Sequence, residues 1–206
     1  MGSTAEAPTF VTLGPSGTDH ERATRHFIDF QGLPAETKIE HIRDFAVEGV
    51  EKVREDPSSF LVQCSAHPDV DLVTERYPQE VVVLDEFLYA TRRLALLARA
   101  GVEEPKSLAL VPATRGYTDL TKWEGGGKYV IKAPSKPEIR AMLLEGECDA
   151  GITFAELAKT HPGEFVTLED YGAVRTTWIV YGDVSRSDYQ GEVIGRKHPE
   201  MFAAQP

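Results

Sequence analysis

Residues 9–23 constrain the chain more than any other stretch. Thr9, Phe10, Val11, Thr12 and Leu13 suit a buried strand, and the run Gly14-Pro15-Ser16-Gly17-Thr18 forbids its continuation. Thr18 and Glu21 stand at the S/T-x-x-E spacing of a capping box. A helix is therefore predicted to begin at Asp19, with its free N–H groups turned towards the loop that carries Ser16, Gly17 and Thr18. Strand, tight turn and helix start in that order predict one wall of an anion site.

The rest of the chain narrows what that anion is. With 206 residues, 41% of them hydrophobic and 27% charged, the chain is long enough for one domain or two small lobes. A net charge of −11 argues against a nucleic-acid or anionic-membrane partner, since both require clustered Lys and Arg. A small anionic substrate held by local donors remains, and a homodimer is compatible with the composition. No apolar run nears the roughly 18 residues of a membrane span. Residues 1–8, read as a flexible leader, carry Glu6 and lack the apolar core of a signal peptide, so a cytoplasmic location is expected. Cys64 and Cys148, the only two cysteines, read as free thiols. His41, His161 and His198 share no zinc-like spacing, so no metal is expected, and Gly125-Gly126-Gly127-Lys128 lacks the frame of a P-loop.

In order, the chain reads as alternating strand and helix. A first helix over residues 19–29 would bury Ala23, Phe27 and Phe30, and a short connector follows Gly32-Leu33-Pro34. Ile42, Phe45, Ala46, Val50 and Val53 recur at helical spacing, and Phe60-Leu61-Val62 is a strand running into the polar turn Gln63-Cys64-Ser65-Ala66-His67-Pro68-Asp69. That turn is predicted to be a second wall of the site. Residues 81–84 and 88–98 read as long strand material interrupted by Asp85-Glu86 and Arg92-Arg93, a segment suited to crossing between lobes. A second set of βα units follows: a strand over 108–111 with a short helix over 117–123, and a strand near 129–132 with a helix capped by Ser135 and Glu138 and stopped at Gly146. Then come a strand over 149–153, a short helix over 154–159, an edge strand over 164–168 and an apolar last strand over 174–181. The pattern predicts an α/β protein with mainly parallel strands in two lobes around a central interlobe cleft. Lobe 1 takes residues 9–90 and 171–182, lobe 2 takes 91–170, and 183–206 is a peripheral C-terminal segment.

Leu13-Gly14-Pro15-Ser16-Gly17-Thr18 with Glu21 and Ala23 resembles the opening motif of the prephenate dehydratase family. The stretch Glu145-Gly146-Glu147-Cys148-Asp149-Ala150-Gly151-Ile152, continued by Glu156-Leu157-Ala158, is similar to that family's second-lobe segment. The resemblance spans roughly residues 9–182 and implies a two-lobed type 2 periplasmic-binding-like fold. Three departures accompany it. Ser65-Ala66-His67 stands where dehydratases carry Glu-Asn-Ser, and Thr176-Thr177-Trp178 stands where they carry Thr-Arg-Phe. Residues 183–206 are too few for an ACT domain, so control by phenylalanine is not implied. Loss of the arginine, with a hydroxyl residue followed by Trp, resembles instead the non-aromatising prephenate decarboxylases of antibiotic pathways such as bacilysin biosynthesis. The resemblance thus implies a lyase acting on prephenate or a related cyclic dicarboxylic acid, by decarboxylation or, alternatively, by dehydration to phenylpyruvate. A repurposed homologue that binds or converts another small acid is the third reading. Neither reaction on prephenate needs a cofactor, because the enzyme positions a carboxylate that is already activated and steers a proton.

Each candidate site residue has a plain structural alternative. Ser16, Gly17 and Thr18 are expected to bind a substrate carboxylate, or else to serve the turn and the cap. Glu21 is a candidate catalytic group or the partner in the capping box; His20 is a proton donor or an exposed helix histidine. Ser65 and His67 would bind substrate or relay protons at the strand end, or be turn residues. Arg115 is expected to pair with a carboxylate, against a surface salt bridge. Thr176 and Thr177 are the catalytic hydroxyls implied by the resemblance, and Trp178 lines the substrate or belongs to the core.

Overall fold

In the computed structural model of the chain, which describes residues 7–186, the protein divides into two compact units. The first runs to Tyr89 and resumes at Arg175; the second is Ala90–Val174. Most of the expected leader, and the C-terminal segment beyond residue 186, lie outside the described residues.

The first unit is a five-stranded sheet in the order β2-β1-β3-β10-β4. Its strands are β1 (Thr9–Leu13), β2 (Lys38–Ile42), β3 (Ser59–Cys64), β4 (Val81–Ala90) and β10 (Arg175–Asp183). β1 pairs parallel with both β2 and β3, whereas β10 runs antiparallel to β3 with Trp178 opposite Cys64 and Ile179 opposite Gln63. Helix α1 (Asp19–Gln31) covers one face, where Ala23 and Phe27 pack on Phe10, Phe60, Val62, Trp178 and Val180. The Phe10 ring lies 5.8 Å from Phe27 and 5.3 Å from Phe60. Such pairs contribute about 0.5–1.5 kcal/mol each beyond their burial. On the other face a π-helical turn (Phe45–Gly49), α2 (Val50–Glu55) and α3 (Val70–Arg76) bring Phe45, Val50, Val53 and Val73 against Val11, Leu61 and Tyr181. A sheet covered on both faces needs apolar runs in its central strands, and β3 supplies Phe60-Leu61-Val62.

The second unit repeats the scheme with β5 (Leu94–Arg99), β6 (Ser107–Leu110), β7 (Tyr129–Lys132), β8 (Ala150–Phe154) and β9 (Phe165–Gly172), in the order β7-β6-β8-β5-β9. Helix α4 (Lys136–Glu145) starts where the capping signal placed it, with the Ser135 side chain accepting from the Glu138 amide, and ends at Gly146. Its Ile139 and Leu143 pack with Leu157 of α5 (Glu156–Thr160) on Ala95, Leu97 and Ala109. Asp149, in the segment that resembles the dehydratase second lobe, is architectural: its carboxylate accepts from the amides of Lys106 and Ser107 at 2.9 and 3.2 Å and so ties down the start of β6.

Several expectations are corrected. The connector after α1 contains β2, hidden because it is an edge strand in which only Ile42 is buried, so no apolar alternation marks it. Ile42 closes that strand instead of opening a helix, and the helical residues of that stretch begin at Phe45. α3, in a stretch with no sequence-based assignment, buries only Val73, so no apolar stripe marks it. Asp85 and Glu86 do not interrupt β4, since an edge strand tolerates charge; the break falls at residues 91–93. The strands are mixed rather than mainly parallel, because β10 runs against β3, and β5 runs against β8 and β9.

One close approach offers a test of the second unit. A Cβ on Gly151 would lie 2.5 Å from Cγ2 of Ile139, a branch methyl on the buried face of α4 with no flexible stem to swing away. Gly151→Ala is expected to destabilise the protein by about 1–3 kcal/mol in chemical denaturation; an unchanged midpoint would show that α4 is not seated on β8 at this distance.

Candidate functional site

The topology of the first unit creates a crevice at one end of its sheet. β1 leads into α1 on one face, while β3 leads into α3 on the other, so the loops leaving these adjacent strands diverge. Ligands of α/β proteins bind where that happens. The backbone register between the two strands runs from Thr9–Ser59 to Val11–Leu61. At the next position the Thr12 hydroxyl donates to the Val62 carbonyl at 2.8 Å, and Gly14 turns to the other neighbour, its amide donating to Ile42 O. Beyond Thr12 the two strands part.

On the β1 side the predicted anion wall already holds an anion, the Glu21 carboxylate. Its Oε2 accepts from the Ser16 hydroxyl and the Gly17 amide, both at 2.7 Å, and its Oε1 accepts from Arg25 Nε and Nη2 at 3.1 and 2.7 Å. His41 Nε2 stands 3.8 Å from Oε2. Gly17 has φ +83°, a conformation a side chain rarely permits, and it aims the loop amide at the carboxylate. Burial alone would raise the Glu21 pKa, but the hydrogen bonds from Gly17, Ser16 and Arg25, with the Arg25 charge, outweigh it and hold the group at about 2. Glu21 is therefore ionised at neutral pH and fastens the loop to the helix. Thr18 is engaged as well: its hydroxyl donates to Leu13 O at 3.2 Å and accepts from the Glu21 amide at 3.3 Å.

The hydroxyls of Ser16 and Thr18 and the Gly17 amide serve the turn, the cap and Glu21, which is the structural alternative weighed from the sequence, and Glu21 is held as an ionised anion. The capping box itself is altered, for Glu21 reaches the Gly17 amide, one residue before the cap. Arg25 is the residue that sequence reading missed. The Glu21–Arg25 spacing of i, i+4, with the acid N-terminal, is a signal that could have found it.

On the β3 side, hydroxyl, thiol and imidazole groups gather. Thr176 Oγ1 lies 3.4 Å from Ser65 Oγ and 3.6 Å from Cys64 Sγ, and the Ser65 amide donates to Thr177 O at 2.9 Å. Thr176 shares a face with Trp178, whereas Thr177 shares the opposite face with Ile179, so pleating separates the two candidate hydroxyls. Trp178 is a core residue, 1% exposed, whose Nε1 donates to Tyr89 O at 3.2 Å. It meets the site at His20, whose ring stands edge-on at 5.1 Å, and at Cys64, its register partner on β3. The half-buried His20 is also 5.5 Å from Phe45 and 6.0 Å from His67, and Phe45 is 5.1 Å from His67. His67 Nδ1 accepts from the Asp69 amide at 3.2 Å, which leaves the proton of the neutral ring on Nε2. Burial lowers the His67 pKa, and the Asp69 charge opposes that only in part. His67 is thus predominantly neutral at pH 7.

The site therefore assembles His20, Ser65, His67 and Thr176 around the β3 end, with Phe45 and Cys64 added by the structure. Arg115 belongs to the second unit, exposed in the short helical turn Pro112–Tyr117. Within that unit Arg92 lies 3.3 Å over the centre of the Phe154 ring, and Arg93 pairs with Asp170 at 2.7 Å.

Comparison with known proteins bears on the fold. No protein-family model matches the sequence, and no protein of curated function does so either. Among solved structures, a prephenate dehydratase from Arthrobacter aurescens, in complex with L-Phe, matches with TM-score 0.57 and 19% identity over 85% of this chain and 60% of its own. The prephenate dehydratase from Staphylococcus aureus matches with TM-score 0.54 and 16% identity, over 84% and 66%. The periplasmic VFT2 domain of Bordetella pertussis BvgS matches with TM-score 0.51 and 12% identity, over 88% and 82%. The chain thus spans less than two thirds of either dehydratase. These likenesses show the fold, an α/β architecture of two sheets shared with dehydratase domains and periplasmic binding domains.

The Glu21 clamp predicts an acid-limb dependence of stability. Its folded pKa of about 2 lies below the ordinary 4.5, so the stabilisation is complete above pH 4.5 and is lost as pH falls towards 2. Thermal unfolding followed from pH 6 downwards should show a shallower loss for Glu21→Gln than for the wild type, and parallel curves would contradict the clamp.

Proposed function

We propose that the protein is a cofactor-independent lyase acting on prephenate or a related cyclic dicarboxylic acid, by decarboxylation without aromatisation. The reading is supported by the Gly14-Pro15-Ser16-Gly17-Thr18 loop and by the fold shared with structures that carry the name prephenate dehydratase. The observation that carries the choice of reaction is the chemistry of the β3 end. Thr176 is set beside the Ser65 hydroxyl and the Cys64 thiol, where the resemblance leads one to expect an arginine one residue on. The carboxyl nearest the loop, Glu21, is held ionised by its hydrogen bonds and is unsuited to protonating a leaving hydroxyl.

In this reading the ring carboxylate leaves as CO2, its bonding electrons enter the ring system, a ring carbon takes up one proton and the hydroxyl stays. Ser65 and Thr176 orient the acid by hydrogen bonds, and Thr177 supports the strand end from the opposite face. His67 and His20 are the proton carriers within reach of that end. Burial disfavours the His67 imidazolium and makes it a stronger acid than an ordinary histidine. Placement in a secondary-metabolite pathway, a cytoplasmic location and a homodimeric state belong to the same proposal.

Purified protein incubated with prephenate should release CO2 and give a product that retains the hydroxyl by mass and lacks an aromatic spectrum. Phenylpyruvate would move the assignment to a dehydratase, and unchanged prephenate would move it to another acid. His67→Gln should lower kcat by about 100-fold or more. The wild-type rate should fall as pH rises through a pKa below 6.5. A His67→Gln variant with the wild-type pH profile would remove His67 from the proton path.

A further inference from the structure

One polar side chain at the crevice has no part in the reading above. Gln63 is 0% exposed, and neither its Nε2 nor its Oε1 has a hydrogen-bond partner among the described residues. An unsatisfied buried amide costs on the order of 1–3 kcal/mol, and native interiors keep few of them. Its position is specific. Gln63 is one residue beyond Val62, whose carbonyl takes the Thr12 hydroxyl at the point where β1 and β3 part. It lies opposite Ile179 in register and shares the sheet face of Leu61, the face on which Phe45 packs. The directly facing strand neighbours are apolar, Leu13 on the β1 side and Ile179 on the β10 side; Thr177, the diagonal neighbour on that face, makes no hydrogen bond to the amide.

The amide's two open atoms define what would satisfy it. A carboxylate only accepts, so it would leave Oε1 facing negative charge; an ammonium only donates, so it would leave Nε2 unanswered. A hydroxyl does both. We propose that Gln63 is a specificity-determining residue that takes the hydroxyl of a hydroxy acid, with Oε1 accepting the hydroxyl proton and Nε2 donating to the hydroxyl oxygen. Exchanging the amide atoms leaves the pairing intact. The proposal rests on the lyase reading only in identifying the hydroxyl with the one retained on the ring. In a layer closed to water, a hydroxy acid is preferred over its deoxy analogue because the latter leaves both amide atoms unpaired.

The test uses the full chain and the near-isosteric Gln63→Met. Thermal shift and calorimetric titration would be run with prephenate and with two matched pairs, L-malate against succinate and phenyllactate against phenylpropionate. Ligand-free Gln63→Met should melt at or above the wild-type temperature, since no hydrogen bond is removed. A hydroxy acid that stabilises the wild type should bind the variant at least about 10-fold more weakly, while its deoxy partner binds both alike. A lower ligand-free melting temperature, equal losses for both members of a pair, or no acid that separates the two proteins would each overturn the proposal. Should malate or phenyllactate show the pattern and prephenate not bind, the lyase reading fails and the role of Gln63 stands. Prephenate turned over with equal KM and kcat by both proteins would do the reverse.

Discussion

The Glu21 carboxylate is the constraint on which the candidate site depends. A helix N-terminus and a glycine loop gather amide and hydroxyl donors around one point. Here that point is filled from within, by a side chain one turn into the helix. Ser16, Gly17 and Arg25 all converge on it, and hydrogen bonds to a charged acceptor are worth about 1.5–3 kcal/mol each. The loop is thereby rigid without a ligand, and its direction out of β1 is set before any substrate arrives. An anion bound externally at the same donors would have to displace the carboxylate and leave it buried without its partners, which is unfavourable.

In the proposed reading, recognition accordingly lies across the crevice at the end of β3. The parting of β1 from β3 beyond Thr12 follows from the two helices leaving on opposite faces, and the same parting leaves the Gln63 amide without strand partners. Around it the chain places groups of graded polarity: the amide in the apolar layer, Ser65 and Thr176 at the rim, and the two imidazoles against Phe45. Burial disfavours the charged form of His67, which therefore contributes little fixed positive charge at neutral pH. The proposed discrimination is therefore by hydrogen-bond pattern.

Much of the fold was legible because its strongest elements announce themselves twice. α1 and α4 each carry an apolar stripe and a hydroxyl cap, and both begin where those signals agree. β3, β6 and β8 are buried along nearly their whole length and carry the apolar runs Phe60-Leu61-Val62, Leu108-Ala109-Leu110 and Ala150-Gly151-Ile152. What escaped was half-exposed: β2 and α3 bury one residue each, so periodicity had nothing to report. The site was legible in location more than in role. The loop at residues 14–18 and the turn at 63–69 do flank the crevice, but a linear motif cannot say whether a donor faces a ligand or a neighbouring carboxylate. Trp178 shows the same limit. Its place in a family-like motif suggested contact with substrate, whereas its burial and its bond to Tyr89 O make it core. Gln63 was readable as a strand-end residue, but only the full set of neighbours reveals that its amide is unpaired.

A crystal structure of the wild-type protein with a hydroxy acid bound tests this division of labour most directly. The account predicts the ligand's hydroxyl within hydrogen-bonding distance of the Gln63 amide and its carboxylate beside Ser65, with Glu21 still bonded to Ser16, Gly17 and Arg25. A carboxylate seated on Ser16 and Gly17 in place of the Glu21 side chain, with Gln63 untouched, would contradict it.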